Sequence, residues 1–315
     1  MNSPSGSGTH GVMFHHFHDS KKHCAGQGSL SVEAFYDILV EYEKKWNILS
    51  AEEYLHKSNT NTLHQKDVCI TLDDGLKCQF EIALPVLESK KINAFWFIYS
   101  SPLTKKVERI ELYRYFRSVY YPDVNDFYNA FYQELAKAEF HNEVAEQTKH
   151  TNFNQHLSDW TFYSLEDRKF RYIRDIVLKS NRYYEIMDRM ISANNVNKNA
   201  LLNVLWMNES NIKTLLSKNQ FIGLHSHTHP TSLQELSFEM QKEEYENNYS
   251  ILKEIQGSPI LAMSHPCNSY NNNTLKILDE LGITLGFRSN WVQNQYSKFE
   301  IPRIDHSFLM KKQMK

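Results

Sequence analysis

The sequence predicts an α/β fold built on a parallel sheet, with a largely helical insertion in its middle. Two short apolar runs of strand length, Val68–Leu72 and Ala94–Tyr99, flank residues 79–90, which read as a helix. Strand, helix and strand in that order imply a parallel βαβ unit, because parallel neighbours need a crossover and a helix is the usual one. The alternation resumes later with candidate strands at Phe221–Leu224, Ile260–Ser264 and Thr284–Phe287. Residues 101–205 have a different texture, poor in strand signals and rich in Asn and charged residues. There Phe127, Phe131 and Leu135 share one helical face, as do Ile173, Ile176 and Val177. The expected organisation is a main domain over 11–100 and 206–315, and a helical insertion over 101–205 that packs on it or caps its site. Residues 1–10, small and polar, read as a flexible tail.

The remaining elements follow from local signals. Gly11–Phe14 reads as a first short strand leading into His15-His16-Phe17-His18-Asp19. Over Leu30–Trp46 the apolar residues Phe35, Ile38, Leu39, Tyr42 and Trp46 recur at helical spacing. Ser50 with Glu53 three residues on is a capping-box pattern that starts a second helix. A helix over Asn273–Leu281 ends at Gly282, a residue suited to the left-handed cap.

Composition bounds the function. A chain of 315 residues with 18 Tyr and 18 Phe can bury a full core. Its 35 basic and 37 acidic residues give a net charge of −2, which supplies no electrostatic reason to expect nucleic acid or an anionic membrane. Cys24, Cys69, Cys78 and Cys267 are scattered, with no CxxC pair, so a reduced protein is expected, not a disulfide scaffold. The opening MNSPSGSGTHGVMF has neither a basic nor an apolar signal region, and no stretch approaches a bilayer span. A cytoplasmic location is the expectation.

Two clusters carry the chemistry. Val68–Leu72 stops at Asp73-Asp74-Gly75, which places two carboxylates at the carboxyl end of a strand, where parallel α/β folds bind ligands. The carboxylates diverge if the strand continues and converge if it breaks, as Gly75 permits. Held close, they repel, and one needs a cation or a proton. Alone, the motif is more often a solvated turn. The second cluster, His225-Ser226-His227-Thr228-His229, directly follows Phe221–Leu224. Neutral imidazoles are good zinc ligands. If the segment turns helical, His225 and His229 share a face and His227 points elsewhere; if it stays extended, all three align.

In combination, TLDDG (Thr71–Gly75) and HSHTH (His225–His229) resemble the first two motifs of the polysaccharide deacetylases, the NodB-like or carbohydrate esterase family 4 enzymes. SHPCNSYNNNTLKILDELG (Ser264–Gly282) is similar to the third motif, FEIPRIDH (Phe299–His306) to the LPRID-type ending, and VMFHHFHD (Val12–Asp19) to the MYHHI-type opening. The similar segments cover most of the chain outside the insertion. The resemblance implies a distorted (β/α)7-type barrel and a divalent metal, usually zinc. It implies Asp73 as general base and Asp74, His225 and His229 as metal ligands. It also implies an N-acylated sugar as substrate; the expected cytoplasmic address points to a nucleotide-linked sugar, a lipid-linked sugar or a small glycoside of surface-glycan biosynthesis.

The departures from the family pattern lie in the third motif. Ser264-His265-Pro266-Cys267-Asn268 stands where many members have R-P-P-Y-G, so the Arg that steadies the catalytic Asp is missing there. Arg303 and Arg288 are the candidates to replace it. The backbone N–H of Cys267 remains available in principle to an oxyanion, since backbone donors do not depend on the side chain. No conventional motif supplies the general acid; His306 is the first candidate and His265 the second. Two other classes share parts of the pattern. An amidohydrolase or PHP-type phosphoesterase would use the His-x-His pairs His225/His227 and His16/His18. A non-catalytic carbohydrate-binding protein on a deacetylase scaffold would explain the altered third motif.

Overall fold

Strand β1 (His10–Phe14) is wholly buried and pairs in parallel with β3 (Asp67–Asp73), His10 opposite Val68 and Phe14 opposite Leu72. The protein is described by a computed structural model over residues 8–158, 163–291 and 297–309. Between these strands, β2 (Asn47–Ile48) pairs with the start of β3. Then come β4 (Phe95–Ile98), β5 (Phe221–Leu224), β6 (Ala262–Ser264), β7 (Leu285–Phe287) and β8 (Arg303–Asp305). The sheet order is β7-β6-β5-β4-β3-β1-β8, and every pairing is parallel. A bridge from Phe287 to Ile301, just before β8, brings the two edges together, so the sheet is a nearly closed barrel. Arg303 on β8 hydrogen-bonds side chains on β3 and β6, strands that are not its sheet neighbours; only a curled sheet permits this.

Alternation along the strands sorts the side chains. One face of β3, β4, β6 and β7 sends Cys69, Phe95, Phe97, Ala262, Leu285 and Phe287 into a common core with Tyr54. The opposite face, Val68, Ile70, Leu72, Trp96 and Ile98, is buried as well. Burial on both faces explains why these strands read as continuous apolar runs. Helix Val32–Glu43 is capped by Ser31, and Ala51–Asn59 by Ser50, whose hydroxyl accepts from Glu53 N–H at 3.2 Å. Helix Asn272–Glu280 starts in a capping box from Asn271 and ends before Gly282, which has φ 76°.

The chain divides into two compact units, Arg109–Lys198 and the combination of Asn2–Glu108 with Asn199–Lys315. The first consists of helices, principally Arg109–Tyr120, Val124–Leu135, Leu165–Tyr172 and Lys179–Ala193, around Phe116, Phe127, Phe131, Phe170 and Tyr183. It is shorter at both ends than the expected 101–205. Ser101 and Trp206 go with the barrel unit, Ser101 N–H donating to His227 O at 2.8 Å and Trp206 Nε1 donating to the Tyr99 hydroxyl. Ile176 departs from the expected apolar face: it is 53% exposed, because Ile173–Leu178 winds with the wider π-helical turn and rotates it away from Ile173 and Val177. The tail expected through residue 10 does not extend to His10. His10 begins β1 and is fully buried; residues 1–7 lie outside the described residues. Among the described residues no helix is long and apolar enough to cross a membrane.

Two buried histidines make stability acid-sensitive. Burial pushes His10 down to about 4 from 6.5, the Gly8 carbonyl opposing only in part. Burial likewise pushes His265 down to about 3 against the Phe299 carbonyl. Both stay neutral in the fold and take up a proton on unfolding, so stability is full above about pH 6.5 and falls toward pH 4. The expected loss is on the order of 3 kcal/mol for each histidine by pH 4. Urea midpoints measured between pH 7 and pH 4 check this; a flat profile contradicts it.

Candidate metal centre and active site

Strand β3 ends on Asp73, and the chain then breaks. Asp74 and Gly75 have φ of 83° and 66°, so the strand does not continue and Asp74 turns out of its line. Gly75 is required twice over: its φ is left-handed, and a Cβ there would lie 2.9 Å from Ile98 Cγ2. The histidine segment is neither helical nor extended. Ser226 and His229 have φ of 63° and 56°, and this kinked loop brings the rings of His225 and His229 to a centroid distance of 5.0 Å. His227 faces away, its Nδ1 2.9 Å from Ser100 Oγ.

Asp74 Oδ1 lies 3.4 Å from His225 Nε2 and 3.5 Å from His229 Nε2. Asp74, His225 and His229 place one ligand atom each within 4.8 Å of one another. Asp74 Oδ1 is buried and has no hydrogen-bond partner, a costly state for a carboxylate oxygen unless a cation or proton sits beside it. The ligand nitrogens are correctly turned. His225 Nδ1 meets the Ser264 carbonyl at 2.9 Å; a carbonyl only accepts, so Nδ1 carries a proton and Nε2 is the nitrogen turned to Asp74. Burial lowers His225, but Asp73 and Asp74 outweigh it and raise it, so a bound ion would take the place of a proton on Nε2. Burial pushes His229 down to about 4, which keeps it neutral at physiological pH. Burial raises Asp74, but the two histidines outweigh it and hold the carboxyl well below its ordinary range. One carboxylate and two imidazoles form a zinc-type donor set, and the residues present fit a divalent ion.

Asp73 lies next to this cluster and is anchored from β8. Arg303 grips it bidentately, Nη1 to Oδ1 at 2.7 Å and Nη2 to Oδ2 at 2.6 Å. The guanidinium also donates to Thr71 Oγ1, to Ser264 Oγ and, through Nε, to the Arg288 carbonyl. Ser264 Oγ in turn lies 3.0 Å from Asp73 Oδ2. Burial alone would raise Asp73; Arg303 and then His225 outweigh it and hold the carboxyl below its ordinary value. Arg303 therefore reaches Asp73 through its side chain, and Arg288 offers its carbonyl to Arg303 Nε.

The two general-acid candidates are placed differently. His306 stacks on Phe14 and its Nε2 lies 2.9 Å from Gly28 O. His265 stacks on Tyr270 with Nε2 2.9 Å from Phe299 O. These contacts hold both rings to backbone carbonyls away from Asp73 and Asp74. A histidine that does approach Asp73 is His15, at the exit of β1, its Nε2 4.0 Å from Asp73 Oδ2 and its side chain 26% exposed. The signal was present in the His15-His16 pair after the first strand, a position equivalent to that of Asp73-Asp74 after β3. The His-x-His alternative is not assembled: His227 faces Ser100, His18 Nδ1 meets Ser29 Oγ at 2.7 Å, and the Asp74-His225-His229 group is the single such cluster among the described residues.

Fold and site together define a parallel α/β barrel with an Asp-His-His cluster at its strand ends. The family model for polysaccharide deacetylase matches residues 181–286, which include His225, His229 and the third motif. Solved structures of this fold include the Streptococcus pyogenes deacetylase PplD in complex with acetate (14% identity, 96% of each chain, TM-score 0.55). They also include IcaB from Ammonifex degensii (14% identity, 97% of this chain and 96% of that one, TM-score 0.57). A third is the de-N-acetylase from Aggregatibacter actinomycetemcomitans (11% identity, 96% and 98%, TM-score 0.53). No curated protein matches the sequence. The family model covers about a third of the chain, and the solved structures share its barrel fold at 11–14% identity.

Proposed function

We propose that the protein is a metal-dependent hydrolase that removes an N-acetyl or other N-acyl group from a carbohydrate. The observation that carries the reading is the orphaned Asp74 Oδ1 between two imidazoles, beside a second carboxylate held by Arg303. Asp74, His225 and His229 would hold the ion, with zinc the best match to the donors. When bound, such an ion supplies Lewis acidity to the acyl carbonyl and to the attacking water. Asp73 takes the proton of that water. His15, partly exposed and 4.0 Å from Asp73, is placed to protonate the departing amine. Arg303 and Ser264 fix the direction in which the Asp73 oxygens face.

The substrate within this reading is an N-acylated sugar of surface-glycan assembly, free, nucleotide-linked or lipid-linked. Neighbours of the same fold that are described as a deacetylase holding acetate and as a de-N-acetylase support the N-acyl bond as the target. An acetate- and formate-release screen of metal-loaded protein against free, nucleotide-linked and polymeric N-acylated sugars tests it. Release from none of them favours the binding-protein alternative. The cytoplasmic address is likewise a proposal, checked by cell fractionation.

His225→Ala and His229→Ala are expected to lose both the ion and turnover, with metal content falling from about one per chain toward zero. Losing a residue that only hydrogen-bonds to a metal ligand typically costs 10–100-fold in metal affinity, so removing a ligand should cost more. Metal analysis after exhaustive dialysis makes the comparison; retention of a full equivalent in both variants removes these residues from the ligand set.

A further inference from the structure

The two-histidine grip stands on a kinked loop. Ser226 and His229 both occupy left-handed backbone, at φ of 63° and 56°, a region non-glycine residues adopt only when their surroundings enforce it. Within the loop Ser226 Oγ accepts the His229 N–H at 3.1 Å, and Ser101 N–H donates to the His227 carbonyl at 2.8 Å; the further side-chain contacts on its main chain come from one helix, Phe238–Gln256. Asn248, fully buried, accepts the His225 N–H on Oδ1 at 2.9 Å and donates from Nδ2 to the Ile98 carbonyl at 2.9 Å. It thereby ties the end of β5 to the end of β4. One turn earlier on the same face, Glu244 Oε2 accepts two successive N–H groups, His227 at 2.9 Å and Thr228 at 2.7 Å. Its Oε1 accepts the Thr228 hydroxyl at 2.6 Å. Two successive N–H groups converging on one oxygen form a backbone nest, filled here by a side chain of the same protein.

We infer that Glu244 and Asn248 are positioning residues of the metal centre, fixing the loop backbone so that His225 and His229 converge on Asp74. The inference rests on the metal reading of that cluster. Neither residue is among the candidate ligands; both act through the main chain of the segment that carries them. Glu244 is the more informative of the two, because a glutamine can reproduce its contacts. The amide oxygen can replace Oε2 beneath both N–H groups, and the amide nitrogen can donate to the Thr228 hydroxyl, which then accepts. Glu244→Gln therefore keeps the geometry and removes only the charge, whereas Glu244→Ala removes the clamp.

Cobalt titration of the metal-free protein separates these roles, followed by its visible spectrum and by thermal unfolding without metal. Glu244→Ala is expected to bind Co2+ 10–100-fold more weakly, with an altered visible spectrum. Glu244→Gln is expected to stay within about 3-fold of the parent, with the parent spectrum; that rescue is what positioning predicts. Parent-like affinity and spectrum in Glu244→Ala overturn the inference while leaving the metal reading intact. A glutamine variant as weak as the alanine one overturns it too, since charge and not position would then be at work. Failure of the parent to bind Co2+ in a manner abolished by His225→Ala overturns both readings together.

Discussion

Asp73→Asn is expected to lower deacetylation kcat by about 10²–10⁴-fold, the usual contribution of a positioned general base, while the ion stays bound. The substitution keeps the shape of the side chain but removes its charge and its capacity to take a proton. Asp74, His225 and His229, which place their ligand atoms within 4.8 Å of one another, are untouched by it. The pairing with Arg303 is not left intact. An amide can present one oxygen to the guanidinium, but its NH2 then faces a donor, so some stability is lost as well. Metal content and circular dichroism of the variant must therefore accompany the rate. A metal-loaded, folded Asp73→Asn with undiminished acetate release removes Asp73 as the base. Loss of the metal would instead move Asp73 into the ligand set, contrary to its bidentate engagement with Arg303.

What could be read from the sequence, and what could not, divides along the range of the interactions involved. Strands β3, β4 and β5 were legible because parallel strands covered on both faces are continuous apolar runs, and each is flanked by turn chemistry. Val68–Leu72, Ala94–Tyr99 and Phe221–Leu224 all fall within one residue of the observed limits at either end. Strands β2 and β8 were not read as strands, being 2 and 3 residues long and fixed by pairing with β3 and β1. Asp73-Asp74 and His225/His229 stood out because each cluster is contiguous and ends a strand. The shape of the histidine loop did not, since two left-handed non-glycine residues are held by contacts that include Glu244 and Asn248, some 20 residues further along the chain. His15 was quoted among the motifs but given no role. Its place beside Asp73 follows from the register of β1 against β3, which sets Phe14 opposite Leu72.

Arg303→Met is expected to cost about 3–5 kcal/mol of stability, the range for breaking a buried ion pair from one side. The guanidinium is fully buried and its donors serve Asp73, Thr71, Ser264 and the Arg288 carbonyl; methionine fills part of the volume and satisfies none of them. The catalytic consequence has a definite sign. Burial raises the Asp73 carboxyl and Arg303 is the foremost group holding it down, so without Arg303 the carboxyl titrates at higher pH. Asp73 would then be protonated, and idle as a base, over a range where the parent is active. The acid limb of kcat/KM should accordingly move upward, with activity partly recovered as pH is raised. Arg303→Lys retains a positive charge but loses the planar fork, and should fall between the parent and Arg303→Met in both stability and pH profile. Urea unfolding and pH–rate profiles of the two variants decide the matter. If activity falls with the acid limb unmoved, Arg303 is a structural support of the barrel and not the residue that keeps Asp73 ionised.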